Sequence, residues 1–169
     1  MKGLCLWIIL ITCYCPSAWA ESWVLRFADP VGGVRESSWE IRKDRGLQYF
    51  SSDSQCPAYT LNVIPEGTQV VLANGLARQF SPGFLLLMDL PMPVFLPAEE
   101  GFKNGEHCFQ EYVGKTAFQS CVNVTLADSL EQAQSLPTPQ FGEVILVKRK
   151  GRLSAIIGPD FQAKRVDQE

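Results

Sequence analysis

Two cysteines on either side of a Gly-Lys pair constrain the fold of this chain more than any other feature. If Gly114 and Lys115 form a two-residue turn of type II′, the glycine supplies the positive φ that the first turn position needs. Counting outward from that turn, Cys108 lies directly opposite Cys121 in a non-hydrogen-bonded pair. Cα atoms in such a pair are about 4.5 Å apart, a separation at which a disulfide fits. The sequence therefore predicts a disulfide-stapled β-hairpin over residues 106–126.

The same register sorts the hairpin side chains onto two faces, because successive residues of a strand point to opposite sides. The expected core face is apolar and carries Phe109, Val113, Phe118, Val122, Val124 and Leu126. The other face carries the two cysteines with Gln110, Gln119, Asn123 and Thr125. Asn123 also begins an Asn-Val-Thr sequon, which matters only in a eukaryotic or viral secretory pathway.

The start of the chain has the pattern of an export signal. A basic start precedes an apolar run over residues 4–12, and Ala-Trp-Ala at 18–20 is typical of a cleavage site. We expect residues 1–20 to be a signal peptide and the mature, exported chain to begin at Glu21. A lipid anchor on Cys13 or Cys15 and an uncleaved membrane anchor are the alternatives; the mature chain is expected to have no transmembrane segment.

The charge of the chain gives no reason to expect a nucleic-acid partner. Fifteen Lys and Arg stand against 18 Asp and Glu, a net charge of −3, whereas binding to phosphates needs clustered cations. The main basic cluster lies at residues 148–152 around Gly151. We expect a solvated hairpin turn there, with contact to an acidic partner or anionic headgroups as the alternative.

Short alternating and apolar segments predict an all-β, mainly antiparallel fold. Besides the stapled hairpin, the expected strands are 23–27, 38–42, 47–50, 58–64, 69–73, 84–90, 143–147 and 153–157. One short helix near 128–136 is predicted from Asp128 as its N-cap and Glu131 three residues later. This spacing indicates a small β-sandwich or a partly open barrel. We expect one exported domain over residues 21–160 and a polar, fraying C-terminal tail over 161–169.

A proline-rich segment follows the apolar run and gives the sharpest binding hypothesis. Its residues are Pro91, Met92, Pro93, Val94, Phe95, Leu96 and Pro97. Three prolines exclude a central strand and favour an extended path. The segment either covers the open end of a barrel or sandwich, or presents an exposed, polyproline-like interaction ridge to a partner.

The sequence contains few of the residues and motifs that catalysis uses. His107 is the single histidine, and no nucleophile-elbow, phosphate-loop, zinc-pair or dinucleotide motif is present. We expect no catalytic residue, no cofactor and no metal; His107 with Glu111 is the one metal pair considered, and ordinary polar residues at a strand margin are the favoured interpretation. Cys56 is expected to be a free thiol. Burial, pairing with a hairpin cysteine, an intermolecular disulfide and thiol chemistry are its alternatives.

The expected function is that of an exported, non-catalytic protein-interaction module, such as an accessory subunit of an envelope assembly or a secreted inhibitor. It would bind another protein through the proline-rich segment and exposed sheet edges. One alternative is a carrier or sensor of a small apolar ligand, held in a barrel mouth lined by residues such as Phe84, Leu86 and Phe95. The other is a small hydrolase or metal enzyme centred on His107. Whether the chain is an enzyme is left open.

Overall fold

The computed structural model describes residues 19–166 except residues 30, 45, 53 and 97–100. The predicted signal peptide lies outside the described residues apart from Trp19 and Ala20, which begin the first strand. Within the described part of the chain, no helix is long and apolar enough to cross a membrane.

Eleven of the thirteen described strands form a closed barrel, and the other two form a separate hairpin. In chain order the elements are β1 (Trp19–Ala28), β2 (Val34–Asp44), β3 (Gly46–Ser51), β4 (Tyr59–Ile64), β5 (Gly67–Leu72), β6 (Ala77–Phe80), β7 (Leu85–Leu87), β8 (Val94–Leu96), β9 (Gly105–Val113), β10 (Thr116–Ala127), α1 (Leu130–Ser135), β11 (Glu143–Arg149), β12 (Arg152–Ile157) and β13 (Phe161–Val166). Around the barrel the order is β1-β13-β12-β11-β10-β9-β6-β5-β4-β3-β2. The predicted all-β fold with one short helix is confirmed, and of the two architectures it is the barrel, with its sheet closed.

An odd number of strands cannot alternate in direction all the way around a closed barrel, so one neighbouring pair must be parallel. That pair is β10 and β11, joined through Asn123–Glu143 to Ala127–Val147. Parallel neighbours need a crossover connection, and the segment containing α1 supplies it. The helix packs its buried Ala133 against Ala127 and the outward residues Ile145, Val147 and Ala155.

The β7–β8 hairpin lies inside the barrel. Eight strands enclose a space that wall side chains can fill, and eleven enclose a wider one. Leu85, Met92 and Val94 of the insert are completely buried in one cluster with inward-facing wall residues such as Trp23 and Val124. The Tyr59 hydroxyl anchors the insert, because it donates to the Met92 carbonyl at 2.5 Å and accepts from the Met92 amide at 2.9 Å. Burial raises the pKa of Tyr59, so the hydroxyl keeps its proton.

The proline-rich segment is therefore not an exposed interaction ridge, and that prediction is wrong. Met92, Pro93 and Val94 are buried, Phe95 and Leu96 are half-buried, and only Pro91 is exposed; Pro97 lies outside the described residues. The reason is that the lumen of an eleven-stranded barrel is wide and needs apolar side chains beyond those of the wall to fill it. The alternative interpretation, a segment that covers the open end of the barrel, is closer to these positions, but Met92 and Val94 lie deeper, in the core cluster.

Three further expectations need correction. Residues 161–166, assigned to a fraying tail, form β13, which pairs with both β1 and β12 and closes the barrel. The helix begins one residue later than predicted: Ser129 is the N-cap and its Oγ accepts from the Gln132 amide, while the Gln132 side chain accepts from the Asp128 amide at 2.7 Å. Val113 and Phe118 are not in the core but exposed, at 60% and 55%.

Tyr59→Phe tests the anchoring of the insert. The substitution keeps the ring but leaves the buried amide and carbonyl of Met92 without a partner, so we expect the free energy of unfolding to fall by about 2–4 kcal/mol. Chemical denaturation of the disulfide-intact protein measures this. The matched control is Tyr112→Phe, whose hydroxyl bonds only the exposed Gln110 side chain and whose loss should cost little. Equal effects of both substitutions would contradict the anchor.

Candidate functional site: the free edge of β10 and the lumenal cavities

The stapled hairpin has the register that its turn predicts. Thr116 pairs with Val113 and Cys121 with Cys108, and the two cysteines form a disulfide. Gly114 has φ of 61°, whereas Lys115 is not among the residues with positive φ, as a type II′ turn requires. The turn lies at one end of the barrel, which we call the Gly114 end. The Lys150–Gly151 turn lies at the other, which we call the Gly151 end.

In the part of the chain that the structure describes, one edge of β10 has no strand partner over seven residues. On one side β10 pairs with β9 from Thr116 to Val124. On the other side it pairs with β11 only from Asn123 onward, because β11 begins at Glu143. The barrel therefore closes around its middle and its Gly151 end, while residues 116–122 form a free strand edge at the Gly114 end. Phe118 lies on this unpaired stretch and is exposed, as is Val113 on β9, one residue beyond the last residue that pairs with β6.

The hydrogen-bond phase of the hairpin shows which backbone groups face that edge. Non-hydrogen-bonded residues of a hairpin point their amide and carbonyl away from the partner strand. Gln110, opposite Gln119, turns both groups to Ser81 on the far side of β9, and the Asn123 amide donates to the Gly142 carbonyl at 2.8 Å. The amides and carbonyls of Ala117, Gln119 and Cys121 therefore point out along the free edge. No strand takes them up within the described residues.

The side chains around this edge are unusually apolar for a surface. Phe141, in the connection before β11, is fully exposed, and Phe118 and Val113 are more than half exposed. Leu76, just before β6, is 63% exposed at the same end of the barrel. Residues 116–122 contain no proline and no charge, which are the usual devices that blunt a strand edge.

An ion cluster braces the other side of the hairpin. Arg78 on β6 donates to both carboxylate oxygens of Glu111 on β9, at 2.8 and 3.0 Å, and to Asp89 in the insert at 2.7 Å. The hydrogen bonds to Glu111 raise the pKa of Arg78, and Asp89 adds to this effect. The guanidinium also lies 5.3 Å above the Phe80 ring. One side chain thus ties together β6, β9 and the lumenal hairpin.

Two cavities lie between the insert and the wall formed by β1, β2, β3, β12 and β13. The first, about 470 Å³, opens at the Gly114 end, and its wall includes Phe27, Trp39, Met88, Leu90 and Phe161. The second, about 270 Å³, opens at the Gly151 end, and its wall includes Trp23, Tyr49, Phe95, Phe102 and Leu153. Of the three residues predicted to line a ligand site, Phe95 lines this second cavity. Phe84 instead stacks on His107, and Leu86 lies on a different cavity beside Phe109.

His107 and Glu111 are not brought together as a metal pair. The His107 ring stacks on Phe84 with centroids 4.3 Å apart, and its Nε2 lies 2.9 Å from the Lys103 carbonyl. Glu111 is occupied by Arg78. Within the described residues, Glu106 lies with Cys108 and Cys121 at metal-ligand spacing, but the two sulfurs are already bonded to each other.

Cys56 is a free, exposed thiol in the connection between β3 and β4. Its amide and carbonyl both bond the Ser54 hydroxyl, at 3.2 and 2.8 Å. Pairing with a hairpin cysteine is excluded, since Cys108 and Cys121 are joined to each other. Burial, another of the alternatives, is excluded as well, because the residue is exposed.

The free edge is the feature that sequence reasoning missed. Register within the hairpin could be counted from its turn, but the length of the β10–β11 pairing depends on where a strand after the crossover begins. The exposure of Phe118 and Phe141 follows from that closure and is not visible in the sequence. No family model, no curated protein and no solved structure matches this chain.

Arg78→Met tests whether the ion cluster supports the hairpin. Removing the guanidinium leaves Glu111 partly buried without its cation, so we expect the free energy of unfolding to fall by about 1–3 kcal/mol. The control is Arg26→Met, which breaks an exposed pair with Glu36 and should cost less than about 1 kcal/mol. Urea denaturation of both variants measures the difference. A smaller loss for Arg78→Met than for the control would refute the bracing role.

Proposed function

We propose that this protein is an exported, non-catalytic interaction module that binds an extended segment of another protein along the free edge of β10. The observation that carries the proposal is the seven-residue stretch, Thr116 to Val122, that has β9 on one side and, among the described residues, no strand on the other. A partner segment that adds there as a strand would satisfy the backbone groups of Ala117, Gln119 and Cys121.

The hairpin is held in the geometry that strand addition needs. The disulfide joins its two arms, and the Arg78 cluster ties β9 to β6 and to the insert. A receptor edge that is already ordered loses little conformational entropy on binding, which favours affinity. Disulfides persist in oxidising compartments, which supports the export expected from the N-terminal sequence.

The side chains around the edge suggest the chemistry of the partner segment. Alternate residues of an added strand point to opposite faces of the sheet. On one face they would meet the exposed Phe118, with Phe141 nearby, and on the other face Gln119 and the disulfide. We therefore expect an extended segment that alternates apolar and polar residues and carries no proline where it pairs with β10.

Gln119→Pro distinguishes binding through the backbone of β10 from binding through the Gln119 side chain. Proline removes the amide that points out along the free edge, whereas the ladder between β10 and β9 uses the amides of Phe118 and Ser120 and stays intact. We expect the variant to fold but to lose its protein partner. The control, Gln119→Ala, removes the side chain, keeps the amide and should keep the partner.

The measurement is photo-crosslinking from a probe at Lys115 in cells that export the protein, with the adducts identified by mass spectrometry. The proposal predicts a protein adduct for the wild type and for Gln119→Ala that Gln119→Pro abolishes while its thermal unfolding stays cooperative. An identical adduct in all three proteins, or an adduct only to a second copy of this chain, would refute it.

A further inference from the structure

The two lumenal cavities follow the same side of the insert, end to end. Inward residues of β1 line them in sequence, Trp23 on the second cavity and Leu25 with Phe27 on the first. On β2, Ile41 lines the second cavity and Trp39 lines the first. Pro93 of the insert borders both cavities. From Glu21 to Phe27 a strand rises about 20 Å, the length scale of a long unbranched hydrocarbon chain.

The two ends of this path differ in charge. The cavity at the Gly151 end is bordered by Glu21, Arg152 and Arg165, which leaves one net positive charge. Arg165 donates to Glu21 at 3.2 Å, and the exposed Arg152 stands at the mouth. Lys148 adds a further cation, with its Nζ 4.8 Å from the centre of the Phe102 ring on the cavity wall.

No cation is among the residues that line the cavity at the Gly114 end. The wall of the larger cavity is apolar except for Ser37 and the exposed Asp160. Ser37 Oγ accepts from the Trp39 indole N–H at 3.0 Å, so both polar groups satisfy each other and the indole ring presents an apolar face. A ligand that fits both ends is therefore apolar along its length and anionic at the Gly151 end.

We propose that the lumen binds a single-chain anionic amphiphile, with its hydrocarbon chain between the insert and the wall and its acidic head at Arg152. A guanidinium can grip a carboxylate or a phosphate with paired, charge-assisted hydrogen bonds, so a free fatty acid and a single-chain phospholipid share the required chemistry. This site is separate from the free edge of β10 and does not rest on protein binding there.

The tryptophans give a direct readout. Of the four in the sequence, two precede Glu21, so the mature chain contains only Trp23 and Trp39. Each of them lines one of the two cavities. The probe is cis-parinaric acid, an unbranched fluorescent fatty acid, added to the delipidated mature protein. We expect saturable energy transfer from the tryptophans to the probe, which hexadecanoic acid displaces.

Two variants with one control variant, and three competitors, make the test specific. Arg152→Gln should weaken the binding of hexadecanoic acid by about tenfold but leave the binding of hexadecanol unchanged, because only the acid contacts the guanidinium. Leu90→Phe narrows the apolar cavity and should weaken the binding of both the acid and the alcohol. The control Leu76→Phe, at an exposed site outside the cavities, should change the binding of neither. Lysophosphatidylglycerol as competitor distinguishes a phospholipid from a free acid.

Displacement by either anionic competitor, with loss in Arg152→Gln, supports the proposal and names the source of the chain. Absence of energy transfer, equal affinity for acid and alcohol, or unchanged binding in a folded Leu90→Phe variant would overturn it. Circular dichroism spectra and melting temperatures of the variants establish that they are folded.

Discussion

The width of an eleven-stranded barrel is the constraint on which the rest of this structure depends. Wall side chains alone leave such a lumen partly empty, and an empty apolar interior loses contact energy. The β7–β8 hairpin supplies the missing apolar volume, and Tyr59 holds it by both backbone groups of Met92. Because the insert is a hairpin and not a close-packed plug, it leaves two cavities along one wall. Packing and the proposed ligand site thus have the same origin.

The odd strand number has a second consequence, at the surface. It requires one parallel pair, the pair requires a crossover, and the crossover returns the chain to the barrel at Glu143, opposite the middle of β10. The outer half of β10 is therefore a strand edge held only by β9, the disulfide and the turn. In a β-protein such an edge is a template for another strand unless charge or proline protects it, and residues 116–122 carry neither.

Most of the features that could be predicted, such as hairpin register and strand positions, followed from local sequence patterns. Gly114 and the cysteine spacing specified the hairpin register, and alternation located strands such as β4 and β11. The location of the Pro91–Pro97 segment was predicted wrongly. Its proline content indicates an extended backbone, but does not show whether that backbone lies on the surface or fills a wide lumen. β13 was missed for a similar reason: its short sequence of mixed polarity is a strand only because β1 and β12 lie on both sides of it. The free edge depends on that same closure and had no local signature.

The direct test of the free edge is residue-resolved amide hydrogen exchange on the oxidised, mature protein without a partner. The structure predicts an alternation along one strand: rapid exchange at Ala117, Gln119 and Cys121, and slow exchange at Phe118 and Ser120, which bond β9. Adding the crosslinked partner segment should protect the first set. Equal protection of both sets in the free protein would mean that this edge of β10 is already occupied, and would contradict a free strand edge there.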